Sequence, residues 1–569
     1  MTGTARAPQN GLAHVFGDTD EPLLDITIPD LLADTVRRLP DHEAAVFPAQ
    51  GVRLTYAEFA NQVDAVANGL RHLGIEKGCR VGIWSPNRVE WLLTQFATAR
   101  IGAILVCIKP AYRPAELEYA LNKAGCVALV LANQFKSSDY VAMITDLAPE
   151  LAHCAPGQCH AQRLPDLRSV IVLDEYAPAN MIAFRDLLTP PSAADRAALD
   201  AISQTLSPTD AINIQFTSGT TGSPKGACLT HRNIVNNAHF VTRTLDFTAS
   251  DRLCIPVPFY HCFGMVMGTL GCVTRGATMV VPGEGFEPHA TLRTVSEEKC
   301  TALYGVPTMF VNMLELPEFQ SFELSHLRTG IMAGAPCPIE VMRQVQSRMN
   351  MHGVTIAYGM TETSPVSFQS NIDDPLDKRV SSVGRIHPHV EVKIVDDTGA
   401  TVPVNTQGEL LTRGYSVMQE YWDDPEQTEA SIDAEGWMHT GDLATLDASG
   451  FCAITGRVKD MILRGGENVY PREIEEFLYA HPDVSQAQVF GIPDDKLGEL
   501  VCAWIVKKPG SKMEAQTILD FCKNQIAHYK IPAYVSFRDS LPMTVTGKPQ
   551  KFVMRDQMIA ELSGTERSS

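Results

Sequence analysis

The chain has 569 residues, of which 45% are hydrophobic and 20% are charged, and its formal net charge is −19. This length exceeds what one hydrophobic core supports, so we expect several domains of ordinary globular composition. The acidic balance argues against a broad surface for nucleic acid or anionic membrane. The chain starts with polar residues and contains no run of roughly 18 uncharged apolar residues. We therefore expect neither a signal peptide nor a membrane span.

The fourteen cysteines are scattered, mostly within apolar segments such as ILVCIKP and LVCAWIV. This pattern predicts reduced, buried thiols and a reducing compartment, which we take to be the cytoplasm. The segment HCAPGQCH brings together four side chains that can bind zinc, but its spacing matches no common zinc template. An exposed loop is the favoured interpretation.

Helix and strand patterns alternate from residue 30 to about residue 131. Residues 56–74 form an amphipathic pattern that ends in glycine, 80–84 a strand, 88–102 a helix and 104–108 another strand. Similar alternation resumes from 211 to about 357. This rhythm predicts a largely parallel sheet with crossover helices.

The segment TSGTTGSPKG, residues 217–226, offers backbone N–H groups, hydroxyls and one lysine but no apolar surface. These groups suit a phosphate cradle. The segment differs from the G-x-x-x-x-G-K-[ST] loop because its lysine follows Ser-Pro and precedes glycine. Alternating residues before it and apolar ones after it predict a loop between two strands, with a helix starting at Thr230. A flexible linker is the alternative. The candidate phosphate contacts are Thr217, Ser218, Gly219, Thr220, Thr221, Gly222 and Lys225.

The pattern changes in the last third of the chain. Residues 390–414 read as strand, turn and strand, which predicts a small antiparallel element. After residue 451 come a strand, a charged segment, a helix that Pro471 can start, strands at 487–493 and 500–508, and a helix around 517–529. We expect these roughly 110 residues to form a separate α+β unit.

Five further stretches are more polar or richer in glycine than their surroundings. Alone, each is ordinary: Asp442 suits a turn, Glu362 a solvated carboxylate and Lys548 a surface lysine. In this order, and together with the 217–226 loop, they resemble the adenylate-forming (ANL, AMP-binding) superfamily over the chain beyond about residue 30. The residues of these motifs most closely resemble those of medium-chain fatty acyl-CoA synthetases. The five stretches are PFYHCFG (258–264), YGMTETSP (358–365), TGD (440–442), GRVKDMILRGGENVYP (456–471) and PMTVTGKPQK (542–551).

The resemblance implies an α/β fold with two domains. The large N-terminal domain, 1–456, would contain layered, mostly parallel sheets with crossover helices, a small antiparallel β element and the acyl pocket. Residues 457–459 would be a hinge, and 460–569 a small, mobile α+β C-terminal domain.

The resemblance also implies an ATP-dependent acid–thiol ligase. Such an enzyme adenylates a medium-chain carboxylic acid and then transfers the acyl group to CoA, giving acyl-CoA, AMP and pyrophosphate. ATP, Mg²⁺ and CoA would be required. The catalytic residues would be Lys548, which bridges carboxylate and α-phosphate, Thr361 at the α-phosphate, and Glu362 as the Mg²⁺ ligand. The other implied contacts are Tyr358 on adenine, Asp442 and Arg457 on ribose, Lys459 as the pivot, and Gly465 and Gly466 beside the pantetheine arm of CoA.

Two features of the sequence narrow the range of carboxylic acids that we expect as substrates. The segment PFYHCFGMVMG has no acidic residue to pair with the amine of an amino acid. Gly359 stands where acetate-specific relatives carry tryptophan, so we expect a deeper pocket, in which each buried methylene adds about 0.8 kcal/mol. A straight C6–C12 acid, a branched acid and an aryl acid all remain open. The expected lining is His261, Met265, Val306, Ala333, Gly334, Ala335 and Gly359.

Other functions and partners also remain open. An adenylate-forming enzyme that acylates a carrier protein is one alternative, although we expect no carrier domain after residue 569. A non-enzymatic nucleotide- or lipid-binding relative is another, although it would be expected to lose Lys548, Glu362 or Asp442. We expect small-molecule partners and no nucleic acid, and a homodimer is one option. The spacing from Pro542 to Lys548 resembles an acetyltransferase recognition site, so this segment serves either catalysis alone or also acetylation of Lys548.

Overall fold

The computed structural model describes residues 7–174, 176–178, 180–217, 224–335, 337–465, 467–494, 496–523, 525–544 and 549–566. The chain divides into two compact units. The first consists of residues 16–391 and 412–438, and the second of residues 7–15, 392–411 and the described part of 439–569. The predicted hinge at 457–459 stays a prediction.

Two large mixed sheets form the first unit. One has eight strands in the order Ile182–Ala183, Ser169–Val172, Cys126–Leu131, Arg80–Trp84, Ile104–Cys107, Ala211–Thr217, Lys225–Thr230 and Glu420–Tyr421. Its first six strands are parallel, and the last two join antiparallel. The prediction of a largely parallel sheet is confirmed.

The second sheet has nine strands, and its central members are also parallel. Antiparallel strands close both edges. The order is Arg385–Ile386, Val366–Gln369, Gly353–Gly359, Thr329–Ala333, Ala302–Gly305, Arg252–Cys254, Thr278–Val280, Glu43–Phe47 and Val52–Thr55. A two-stranded ribbon pairs Gln134–Phe135 with Ser138–Asp139.

Local signals set the helix starts. Thr55 and Glu58 form a capping box before the helix Tyr56–His72, and Thr230 and Asn233 form one before His231–Thr244. The predicted start at Thr230 is therefore confirmed, with Thr230 as the cap. The other α-helices of this unit are Ile28–Arg38, Val89–Arg100, Pro114–Ala124, Tyr140–Leu147, Ala193–Ser203, Gly271–Arg275, Pro288–Glu297, Pro307–Leu314, Ile339–Arg348, Leu376–Ser381 and Pro425–Ser431, with a π-helix at Phe263–Leu270.

The second unit contains most of a five-stranded sheet, in the order His14–Phe16, Val390–Val395, Gly408–Gly414, Met438–Leu446 and Cys452–Arg457. A further sheet has the order Glu467–Val469, Ile462–Arg464, Gly498–Lys507 and Val484–Asp494, and Tyr534–Phe537 also pairs with Gly498–Lys507. The α-helices are Pro471–Tyr479, Ala515–Cys522 and Lys551–Glu566.

The helix expected around 517–529 is shorter than the sequence pattern suggests. It ends at Cys522 because Lys523 adopts an extended conformation. Ile526 and Tyr529 lie beyond the helix and pack against the apolar core of the second unit. The predicted helix start at Pro471 is confirmed.

Candidate functional site

The predicted phosphate loop connects two adjacent antiparallel strands. Ala211–Thr217 pairs with Lys225–Thr230, and Thr217 lies opposite Lys225 in the register. This confirms the predicted loop between two strands. Ser218, Gly219, Thr220, Thr221 and Gly222 lie outside the described residues. The hairpin therefore fixes the two ends of the loop, one bearing a hydroxyl and the other an ammonium group.

Glu362 lies beside one end of this loop. It belongs to the short 3₁₀ turn Thr361–Thr363, which follows the strand Gly353–Gly359. Its side chain is buried, at 5% exposure, so it is not the solvated carboxylate that the residue type alone suggests. The Thr217 hydroxyl donates a hydrogen bond to Glu362 Oε1 at 3.0 Å. The structure thus brings together two sequence motifs that are 145 residues apart.

Tyr421 completes this cluster, and sequence reasoning did not identify it. Its hydroxyl donates to the same Glu362 Oε1 at 3.0 Å. Lys225 Nζ lies 4.9 Å from the centroid of the Tyr421 ring and donates a hydrogen bond to Gln427. Burial, together with the charge of Glu362, raises the pKa of Tyr421 well above its usual range, so the hydroxyl stays a donor.

The Glu362 carboxylate has the chemistry of a hard cation ligand. Both hydrogen bonds that described side chains donate to this carboxylate end on Oε1, and Oε2 receives neither of them. Oxygen ligands of this kind suit Mg²⁺, which also takes ligands from substrate phosphates and water. Across the described residues, no group of three or more His, Cys, Asp or Glu side chains could hold a metal by itself. The residues present therefore fit a cation that arrives with a phosphate ligand.

Tyr358 and Thr361 lie on the same segment as Glu362. Tyr358 is half-buried, and its ring centroid is 6.2 Å from that of Phe368 on the neighbouring strand. Thr361 is half-buried at the start of the 3₁₀ turn. An aromatic face and a hydroxyl thus precede the carboxylate closely along the chain.

A side chain at position 359 would point into neighbouring backbone. A Cβ atom at this position would lie 1.7 Å from the Pro365 carbonyl oxygen and 2.9 Å from Val366 Cα. Glycine is needed here for close approach of two backbones. The deeper pocket expected at Gly359 stays a prediction, and the Cβ of any larger residue at this position would overlap the backbone of the adjacent segment.

The other predicted pocket residues follow the carboxyl ends of strands in the nine-stranded sheet, where α/β proteins commonly bind ligands. Val306 follows Ala302–Gly305, and Ala333 ends the strand that precedes Gly334 and Ala335. A Cβ on Gly334 would lie 3.3 Å from Val306 Cγ1, so these two residues are neighbours. Val306 and Ala333 are buried.

His261 lies two residues before the π-helix Phe263–Leu270, and Met265 lies in its first turn. His261 is half-buried, and its Nδ1 accepts a hydrogen bond from the Phe263 amide at 3.2 Å. Met265 is buried, and Gln215 Nε2 lies 3.8 Å from its sulfur. Gln215 lies two residues before Thr217, so this helix packs against the strand that leads into the phosphate loop.

In the second unit, the two predicted ribose contacts are neighbours. Asp442 and Arg457 are register partners on adjacent antiparallel strands. Arg457 Nε lies 3.0 Å from Asp442 Oδ1; the carboxylate is buried, whereas the guanidinium is largely exposed. The pair presents a carboxylate that can accept hydroxyl hydrogen bonds next to a cationic donor.

The predicted pivot Lys459 and the predicted CoA contact Gly465 lie on exposed turns. Lys459 is exposed within the 3₁₀ turn Val458–Asp460. Gly465 turns the hairpin between Ile462–Arg464 and Glu467–Val469 and has a left-handed φ of 62°. Glycine is favoured there by backbone conformation. Gly466 and Lys548 lie outside the described residues, so their predicted roles stay predictions.

These motifs define a protein of the adenylate-forming class. A family model described as "AMP-binding enzyme" matches residues 32–422, and one described as "AMP-binding enzyme C-terminal domain" matches 473–548. The chain belongs to this AMP-binding enzyme family, which confirms the resemblance inferred from the motifs.

Relatives match almost the whole chain. The mitochondrial medium-chain acyl-CoA ligase ACSF2 of Danio rerio is 46% identical over 97% of this chain and 91% of its own length. Its counterpart from Homo sapiens is 44% identical over 98% and 91%. Among solved structures, the anthranilate CoA ligase AuaEII in complex with anthranoyl-AMP has a TM-score of 0.81 at 26% identity, covering 95% of this chain and 98% of that one.

A second solved structure, ATP-bound MatB from Rhodopseudomonas palustris, has a TM-score of 0.76 at 28% identity, covering 94% of this chain and 99% of that one. The predicted α/β fold with a separate C-terminal domain is confirmed by these matches. No helix within the described ranges combines the length and apolar character needed to span a membrane.

Proposed function

We propose that this protein is an ATP-dependent acyl-CoA ligase acting on medium-chain carboxylic acids. The observation that carries the proposal is the meeting of Thr217, Glu362 and Lys225 at the two ends of the phosphate loop. A site that binds a nucleoside triphosphate requires a hydroxyl and an ammonium group for the phosphates and a carboxylate for the bound cation. The relatives named as medium-chain acyl-CoA ligases, at 44–46% identity over nearly the full length, support the acyl-CoA product.

In the first step, the substrate carboxylate would attack the α-phosphate of ATP, forming acyl-AMP and releasing pyrophosphate. This in-line transfer depends on positioning and charge compensation. Lys225 and the loop would hold the β- and γ-phosphates, Thr361 the α-phosphate, and Lys548 the carboxylate. Mg²⁺ would neutralise phosphate charge when bound at Glu362. Tyr358 would stack on adenine, and Asp442 and Arg457 would bind the ribose.

In the second step, the thiol of CoA would displace AMP and form the thioester. We propose that residues 460–569 rotate about Lys459 between the two steps, which removes Lys548 and brings Gly465 and Gly466 beside the pantetheine arm. The exposed position of Lys459 supports this pivot, since an exposed lysine is solvated in either backbone state.

We propose a cytoplasmic location, supported by fourteen unpaired cysteines, most of them buried, which suit a reducing compartment. The word mitochondrial in the names of the vertebrate relatives makes the mitochondrion the alternative location. A homodimer and acetylation of Lys548 are further proposals, the latter motivated by the spacing from Pro542 to Lys548.

The test is CoA-dependent release of AMP, measured for straight acids from C2 to C16 and for branched and aryl acids. A maximum between C6 and C12 is the expected result. A maximum with aryl or branched acids would keep the ligase assignment and replace the substrate. Pyrophosphate release without any CoA-dependent AMP release would favour transfer to a carrier protein, and the absence of nucleotide turnover with every acid would refute the proposal.

A further inference from the structure

Tyr421 contacts two groups of the proposed nucleotide site. Its hydroxyl is 3.0 Å from Glu362 Oε1, and its ring lies under the Lys225 ammonium group. We propose that Tyr421 is a positioning residue for Mg²⁺·ATP: its hydroxyl orients the Glu362 carboxylate, and its ring guides Lys225. This inference rests on the proposed function, because it assigns a role to Tyr421 within that ATP site.

The backbone around Tyr421 is fixed to the strand that carries Lys225. Tyr421 is the register partner of Ala227, two residues beyond Lys225, and the Trp422 amide donates to the Gly226 carbonyl at 2.7 Å. The Tyr421 amide donates to Thr428 Oγ1 at 2.9 Å. These bonds hold the tyrosine at one end of the loop hairpin, so its side chain has a defined position relative to both partners.

The hydroxyl of Tyr421 acts on the carboxylate in a specific way. It shares Oε1 with the Thr217 hydroxyl, and two donors on one oxygen limit rotation of the carboxylate. The second oxygen, Oε2, is then presented in one orientation. A cation ligand held in this way loses less freedom when the metal–nucleotide complex binds.

The ring of Tyr421 has a separate effect on Lys225. The ammonium group lies 4.9 Å from the ring centroid and is hydrogen-bonded to Gln427, which belongs to the helix Pro425–Ser431 next to Tyr421. An aromatic face attracts the cation without occupying its hydrogen-bond donors. The lysine is therefore kept near the loop while its donors can exchange Gln427 for a phosphate.

The two effects can be separated by substitution. Tyr421→Phe removes the hydroxyl and keeps the ring, whereas Tyr421→Leu removes both. The matched control is Tyr56→Phe, because Tyr56 is another buried tyrosine whose hydroxyl donates to a carbonyl, that of Ala277, at 2.8 Å and has no place in the proposed site. Thermal unfolding establishes that each variant is folded.

The measurement is calorimetric titration of the full chain with ATP, in excess Mg²⁺ and separately in EDTA, without any carboxylic acid. We expect Tyr421→Phe to weaken Mg²⁺·ATP binding about tenfold, since a hydrogen bond to a charged group is lost, and to leave ATP binding in EDTA nearly unchanged. Tyr421→Leu should also weaken ATP binding in EDTA. Tyr56→Phe should match the wild type in both titrations.

A double-mutant cycle with Glu362→Gln gives a second test. If the hydroxyl acts through Glu362, adding Tyr421→Phe to Glu362→Gln should not weaken Mg²⁺·ATP binding further. Wild-type affinity in Tyr421→Phe, equal losses with and without Mg²⁺, or full additivity in the cycle would each overturn the inference. A wild-type chain that binds no ATP in either titration would instead refute the proposed function.

Discussion

Thr217 and Lys225 are backbone partners where the phosphate-loop hairpin opens, and both are linked to the same tyrosine–carboxylate pair. Thr217 bonds to Glu362, Lys225 lies over Tyr421, and Tyr421 bonds back to Glu362. A closed ring of contacts thus connects three segments that are distant in sequence. Because each contact involves a polar or charged group, the ring positions charge, whereas the surrounding apolar core provides most of the stability.

The negative charge of the Glu362 carboxylate should be required for catalysis. Glu362→Gln keeps the shape and can still accept hydrogen bonds from Thr217 and Tyr421, but it removes the negative charge. We expect adenylation at saturating ATP to fall by at least about a hundredfold. The measurement is acid-dependent pyrophosphate exchange.

The matched control for this change is Glu391→Gln. Glu391 is also a buried carboxylate, but it is paired with Arg413. The Glu391→Gln substitution should lower the melting temperature and leave the specific activity of the folded fraction close to that of the wild type. Equal activity in the two variants would argue against cation binding at Glu362.

Lys548→Ala should separate the two half-reactions. The lysine is proposed to contact the substrate only during adenylation, so its loss should remove about 3–4 kcal/mol of transition-state stabilisation from that step alone. Thioester formation from preformed acyl-AMP and CoA should proceed at nearly the wild-type rate. Lys512→Ala, on an exposed position of the C-terminal region, is the control. Equal losses in both half-reactions would contradict the domain rotation.

Asp442→Asn should weaken nucleotide binding. The buried carboxylate lies 3.0 Å from the Arg457 guanidinium, and the neutral amide can accept fewer hydroxyl hydrogen bonds and carries no charge opposite the arginine. We expect the KM for ATP to rise about tenfold with a smaller change in kcat. Glu409→Gln, on a neighbouring strand and paired with His439, is the control. An unchanged KM for ATP would show that Asp442 has a structural role only.

Chain-length preference should be tested at Val306 instead of Gly359. Val306→Phe enlarges a buried side chain next to Gly334, and should shift the preferred acid by several carbons toward shorter chains. Gly359→Ala should instead lower stability, because its Cβ would collide with the Pro365 carbonyl. The measurements are AMP release across the acid panel and thermal unfolding. An unchanged profile in folded Val306→Phe would remove this residue from the pocket.

The sequence predicted those features that depend on local pattern. Strand alternation and the capping residue Thr230 both reflect short-range chemistry, and the structure contains both. It also places Thr217 and Lys225, the two ends of the predicted loop, opposite each other on adjacent strands. The motif order was enough to identify the family. The Asp442–Arg457 pair could also be anticipated, because both residues lie in motifs for which we propose a common ligand.

Tyr421 could not be predicted in this way. The adjacent Trp422 is also aromatic, so residue type does not single out Tyr421, and the pairing of its strand with Lys225–Thr230 is what brings it to Glu362. What a Cβ at Gly359 would collide with likewise depends on the path of the next strand. Both features arise from contacts between segments, which residue type and spacing do not encode.

Acid should destabilise the protein partly through His231. This side chain is fully buried, and its Nδ1 accepts a hydrogen bond from the Ile28 amide at 3.1 Å. Burial lowers its pKa to about 4, despite the opposing charges of Asp210 and Asp30, while Lys77 lowers it further. The folded chain therefore keeps His231 neutral where the unfolded chain protonates it. Between about pH 6.5 and pH 4, the free energy of unfolding should fall by up to about 1.4 kcal/mol per pH unit from this group.

His231→Asn isolates this contribution, because the amide oxygen can still accept the Ile28 hydrogen bond but does not titrate. His387, whose pKa burial lowers to about 3, is present in both chains and cancels in the comparison. The measurement is urea unfolding at pH 7 and at pH 5. We expect the variant to be less stable than the wild type at pH 7, owing to imperfect packing, and to lose less stability on acidification. Equal losses in the two chains would show that His231 takes up no extra proton on unfolding.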